Sequence, residues 1–123
     1  MNIVREMVLH LEYLGHGEKD RNLFWGTMPT TPDTAVCVYS SDSGYAGSPD
    51  GARLQIITRA KSDKTAYELS QAIAEDLAEF DGYLYGDGAQ ASIDITNASI
   101  GLGNDDNKRP MYSTNIVVRY CDA

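Results

Sequence analysis

The chain has 123 residues, with 10 Lys+Arg against 18 Asp+Glu for a formal net charge of −8, and it is 42% hydrophobic and 23% charged. This length fits one domain with one modest core, and the near-average composition argues against wholesale disorder. An acidic balance with scattered basic residues excludes a nonspecific nucleic-acid binder, whose affinity comes from Lys and Arg neutralising phosphates.

From Ile3 to Leu14, the apolar residues Val4, Met7, Val8, Leu11 and Leu14 recur at three- and four-residue steps, which predicts an amphipathic helix ended by Gly15 and Gly17. The charges at Arg5 and Glu6 come too early for a signal peptide, and no window approaches the roughly 18 apolar residues of a membrane span. A cytoplasmic protein is expected. Leu23 to Met28 reads as a short aromatic strand stopping before Pro29 and Pro32, and Ala35 to Tyr39 as a second, with a hairpin expected around the proline-bearing loop.

Residues 40–52 are turn formers without periodicity and predict a long exposed loop. Arg53 to Arg59 alternates as a strand with Leu54, Ile56 and Thr58 on one face. Ser62 or Asp63 offers an N-cap to a helix over 64–80, where Ala66, Leu69, Ile73, Leu77 and Phe80 mark the buried stripe and Glu68, Glu75, Asp76 and Glu79 make the rest acidic; Asp81-Gly82 is its expected end. Ala91 to Thr96 and Asn115 to Tyr120 alternate with period two, and Gly101 to Pro110 between them reads as a polar loop. The expected fold is a single α+β domain over residues 1–123, a mostly antiparallel sheet of about four or five strands packed by two helices on one face.

The polar residues offer little chemistry. Read as a calcium loop from Asp105, the third position is Asn107 but the fifth is Arg109 and no glycine follows, so a solvated turn is expected. His10 and His16 suit neither a helical metal pair nor a catalytic one and are expected to be ordinary exposed histidines. Cys37 and Cys121 lie in apolar runs and are expected to be reduced core thiols. No nucleophile elbow, S-x-x-K or phosphate loop is present, and adjacent acids such as Glu75/Asp76 and Asp105/Asp106 lack the desolvation that acid–base work needs. No catalytic residue, metal or cofactor is expected. The aromatics stand out instead: Phe24 and Trp25 adjoin on a strand and so point to opposite faces, and Tyr39, Tyr45, Tyr83, Tyr85, Tyr112 and Tyr120 lie in or beside loops and strand ends, the residue types that dominate protein–protein contacts. Trp25, Tyr45 and Tyr112 are the candidate contacts among them.

Three stretches carry a family resemblance. Pro49 to Arg59, a strand ending in Arg, is followed by the Asp63 to Leu77 helix of D-x-x-x-A-x-x-L character; later, Gly103 to Val118 sets a D-x-x-x-R loop (Asp105, Arg109) before a strand with S-x-N (Ser113, Asn115). Together these resemble the tail terminator proteins of long-tailed bacteriophages, often described as minor capsid or tail proteins, over residues 22–120. The chain departs from the family in having a shorter N-terminal helical segment.

The resemblance implies a subunit of a hexameric ring that caps the head-proximal end of the tail tube, stops its polymerisation and presents a head-joining surface. The tube and head-connector proteins would be its partners, DNA would pass without specific binding, no membrane would be involved, and the protein would end in the virion after assembly in the host cytoplasm. It also marks Arg59, Arg109 and Asn115 as recurring polar positions with structural or intersubunit roles. Ring subunits need two heterologous faces, which sheet edges or loops supply. The loops over 40–52 and 101–111 are the expected contacts with tube and connector, and the acidic helix would face solvent or a DNA channel whose negative charge discourages sticking. The alternatives are another head–tail connector or completion protein, or a small ligand-binding domain or enzyme.

Overall fold

The computed structural model describes residues 2–40 and 51–121. Its elements run α1 (Ile3–Tyr13), β1 (Leu23–Trp25), β2 (Ala35–Ser40), β3 (Ala52–Arg59), α2 (Asp63–Leu77), β4 (Asp81–Tyr83), β5 (Gln90–Asn104) and β6 (Pro110–Cys121). One sheet takes all six strands in the order β1-β2-β3-β6-β5-β4. Every neighbouring pair is antiparallel except β1 and β2, so the sheet is mixed and holds more strands than the alternating runs indicate.

Both helices cover one sheet face, as expected. Even-numbered residues of β3 and β6 point to them, and Leu54, Ile56, Ile116 and Val118 join Val36, Val38, Ala91 and Ile93 in a core closed by Ile3, Met7, Leu11, Ile73 and Leu77. The Asn2 side chain accepts from the Arg5 N–H to start α1, and Ser62 accepts from the Thr65 N–H to start α2. Helix α2 ends before the glycine at position 82, because Ala78 turns to extended backbone and Glu79 takes a left-handed φ of 56°.

Three features depart from the sequence reading. First, β1 and β2 form no hairpin. They run parallel, so residues 26–34 must return the length of the strand, and they do so without the helix that usually makes such a crossover. Second, residues 101–104 are not loop: β5 continues to Asn104 and β6 begins at Pro110, leaving a tight turn over 105–109. Register shifts between Ile95 and Asn97, Asn97 and Ile100, and Gly101 and Gly103 absorb the extra residues and break the period-two signal. Third, β4 is a three-residue strand with too little pattern to read. Cys37 is buried as expected, but Cys121, at the end of β6, is exposed.

Candidate assembly surface

Arg59 and Arg109, far apart in sequence, come together where Arg59 ends β3 and Arg109 immediately precedes its neighbour β6. Both are nearly buried. Arg59 donates to the carbonyls of Pro32 (2.6 Å) and Asp33 (3.3 Å), and Arg109 to the Thr30 carbonyl (2.6 Å) and the Asp33 carboxylate (3.2 Å). The pair therefore holds down the return loop of the parallel crossover. Asp105 completes the cluster, accepting from the Arg109 side chain at 2.9 Å and from the main-chain N–H groups of Arg109 and Asn107. Burial pushes the Asp105 carboxyl up, but these bonds and the Arg109 charge outweigh it and hold it below the usual range. Burial and the Arg109 charge lower the Arg59 guanidinium, with Asp105 and Asp33 opposing. The expected solvated turn is thus a half-buried ion-pair anchor. Beside it, burial raises the Cys37 thiol, and burial with the Cys37 contact pushes Tyr39 up to about 12.

Asn115 lies mid-sheet on the helix-free face, two residues along β6 from Ser113. The Ser113 hydroxyl accepts from Gln55 Nε2 (3.0 Å) and donates to Asn115 Oδ1 (2.9 Å), and Gln55 and Asn115 line a shallow groove of about 490 Å³ with Arg53 and Val117. Arg59 and Asn115 thus share a face, but Asn115 is not part of the ion-pair cluster. Tyr112 points the other way, to α2, where its hydroxyl donates to Asp63 (2.7 Å) and its ring meets Tyr67 edge-on. Trp25 sits on the far edge strand β1, 40% exposed, with the Lys19 ammonium 5.8 Å from its ring centroid. Tyr45 lies outside the described residues.

Two titratable groups escaped the sequence reading. Glu6 and His10 are fully buried on α1. Glu6 accepts from the Asp87 N–H and from Arg5, and His10 Nδ1 accepts from the Tyr85 N–H at 3.2 Å, so together they clamp the turn after β4 to the helix. The expected exposed histidine is instead packed between Phe80 and Tyr85, and burial lowers its pKa, with Asp76 opposing and His16 adding. His16 is also largely covered and pairs with Asp76 at 2.6 Å. The four-residue spacing of Glu6 and His10, within the buried stripe of Ile3, Met7 and Leu11, was the available signal. Outside this clamp Tyr13 stacks on Tyr85 with ring centroids 3.5 Å apart, and both remain exposed, as does Tyr83.

Among the described residues, no three His, Cys, Asp or Glu side chains converge as a metal site. No helix there is long and apolar enough to cross a membrane. Among the described residues, Arg59, Arg109, Asp105 and Glu6 are spent on the chain's own loops, while strand edges and several tyrosines face outward. These are the features of a subunit built to meet other proteins.

The family described as bacteriophage tail terminator protein matches residues 8–121, nearly the whole chain. The chain belongs to that family, which makes it a structural component of a phage tail. No curated protein matches it.

Proposed function

We propose that this chain, acting as one unit over residues 1–123, is a ring-forming terminator that caps the head-proximal end of the tail tube and supplies the head-joining surface. The family match over residues 8–121 carries the reading. The ring is taken as hexameric, the partners as the tube and head-connector proteins, and the protein as lacking enzymatic activity and assembling in the host cytoplasm before entering the virion. Two features support it. The sheet ends in two different edges, β1 and β4–β5, as head-to-tail closure by rotation requires. Glu68, Glu75 and Asp76 on α2 and Glu79 just beyond its end are exposed, an acidic surface suited to a channel that DNA passes without adhering. Of the candidate contacts, Trp25 is placed at a subunit boundary, and Tyr45 is kept as a contact with tube or connector. Arg59, Arg109 and Asn115 shape the helix-free face, and Tyr112 braces α2.

The test is native mass spectrometry with negative-stain microscopy of the purified protein, alone and with tail tubes. Closed rings, free or at tube ends, are expected; a protein that stays monomeric at high concentration and leaves tubes uncapped would refute the reading.

A further inference from the structure

Among the described residues, most of β5 forms an edge that no strand covers, with only Ser99 tied by its hydroxyl to Ser70 and Gln71 of α2. β4 pairs only with Gln90 to Ser92, and from Asp94 to Asn104 no strand among the described residues lies along its outer side. Natural edges are usually blunted by charges, proline or short length. In a chain that is 23% charged, the stretch from Ile95 to Asn104 has no charged residue and no proline. Its bulges bend the strand, and they leave Ile100 and Leu102 about 40% exposed.

The opposite edge carries a recess. Beside β1 lies a groove of about 720 Å³ whose walls include Phe24, Pro29, Pro32 and Thr34. The two edges stand at one level. Phe24 pairs with Cys37, Cys37 with Ile57, Ile57 with Ser113 and Ser113 with Ile100, so Phe24 and Ile100 end a single row across five strands. Two rows on, Ala35, Arg59, Met111 and Gly103 stand level, so Leu102, bulged between Gly101 and Gly103, lies just short of the level of the groove wall at Thr34. β1 runs with β2 and β6, against β3 and β5. In copies related by rotation about an axis along the strands, β5 of one therefore meets β1 of the next in antiparallel sense and without a step along that axis. The main-chain groups of Leu23 are taken by Glu18 and Asp20, which leaves Trp25 to meet the incoming strand.

We propose that subunits join head to tail, the uncharged arm of β5 from one copy running along β1 of the next, with Ile100 and Leu102 seated in the groove against Phe24 and the Trp25 main chain facing the incoming strand. This rests on the reading above that the chain assembles with itself, and it assigns the two surfaces that meet.

The test uses the full chain in a Cys121→Ser background, where the remaining native thiol, Cys37, is buried. Thr34→Cys combined with Leu102→Cys, treated with a short bis-maleimide, should give a covalent ladder beyond the dimer. Neither single variant should give one. Separately, Leu102→Glu, whose position is exposed in the isolated subunit, should keep the wild-type unfolding midpoint but need at least tenfold more protein to assemble. If wild-type rings form while the double variant stays monomeric on denaturing gels and Leu102→Glu assembles normally, the assigned surfaces are wrong and the ring stands. Covalent dimers from Leu102→Cys alone would show like edges meeting and also overturn the proposal. A wild-type chain that never assembles overturns the ring reading and this proposal with it.

Discussion

Substituting Gly86 by Ala tests the clamp between α1 and the turn after β4. A Cβ at this position would lie 2.7 Å from the Glu6 carboxyl carbon and one of its oxygens, and nearer still to the other. Carboxylate groups usually swing away from such a contact, but Glu6 is only 1% exposed and is held by the Asp87 N–H and Arg5. Regaining ordinary van der Waals contact needs a retreat of about 0.7 Å or more, enough to stretch the Asp87 bond severely. A buried carboxylate that loses such a charge-assisted bond costs about 2 kcal/mol. For a domain of this size that lowers the thermal midpoint by about 6–10 °C. Thermal unfolding followed by circular dichroism measures it. The assignment to Glu6 is checked by a double-mutant cycle, since with Glu6→Ala already present, Gly86→Ala should cost under about 0.5 kcal/mol more. If Gly86→Ala is neutral in the wild-type background, or equally costly without Glu6, the clamp is not what holds this turn.

Other consequences follow from the same structure. Because burial lowers the pKa of His10, the unfolded chain binds the proton more readily, so stability is full above about pH 6.5 and falls as the pH drops below it; His10→Phe should flatten that part of a urea-midpoint profile, and an unchanged slope would contradict it. Asp105, held below the usual carboxylate range, stabilises the fold above about pH 4 and loses this as the pH falls further; Asp105→Asn should remove that acid limb from the same measurement. Arg59→Met strips two hydrogen bonds from the return loop and should cost roughly 2–3 kcal/mol, with hydrogen exchange rising first over residues 26–34. Ile73→Ala opens a cavity in the core and should cost roughly 2–5 kcal/mol in urea unfolding without changing the edge strands β1 and β5.

What sequence periodicity disclosed was whatever faced the core in regular steps. Leu54, Ile56 and Thr58 alternate because β3 pairs in unbroken register with both neighbours and buries one face, and α2 is legible because Ile73 and Leu77 repeat along one side of an uninterrupted helix. The bulged half of β5 was hidden, since each register shift moves its side chains out of the period that marks a strand, and its glycines and asparagine read as loop. The parallel crossover was hidden for a different reason. It is stabilised by Arg59 and Arg109 reaching carbonyls of residues 30–33 from the far side of the sheet, and nothing local in the sequence of those residues announces it. The burial of His10, expected to be exposed, and of Glu6 is legible only in their place beside the apolar stripe of α1, because a titratable side chain ordinarily marks the solvent face. Of the candidate contacts, the family resemblance brings out Arg59 and Arg109, which the fold does join; Leu102 enters only as part of a contact loop expected over 101–111, and the strand edge it shares with Ile100 is not legible, because it is the absence of charge there that distinguishes it.

The central claim is that this chain terminates the tail. Electron microscopy of particles grown without the protein measures it directly through the distribution of tail lengths. The account predicts tails that overrun the wild-type length and fail to join heads; tails of normal, uniform length would contradict it.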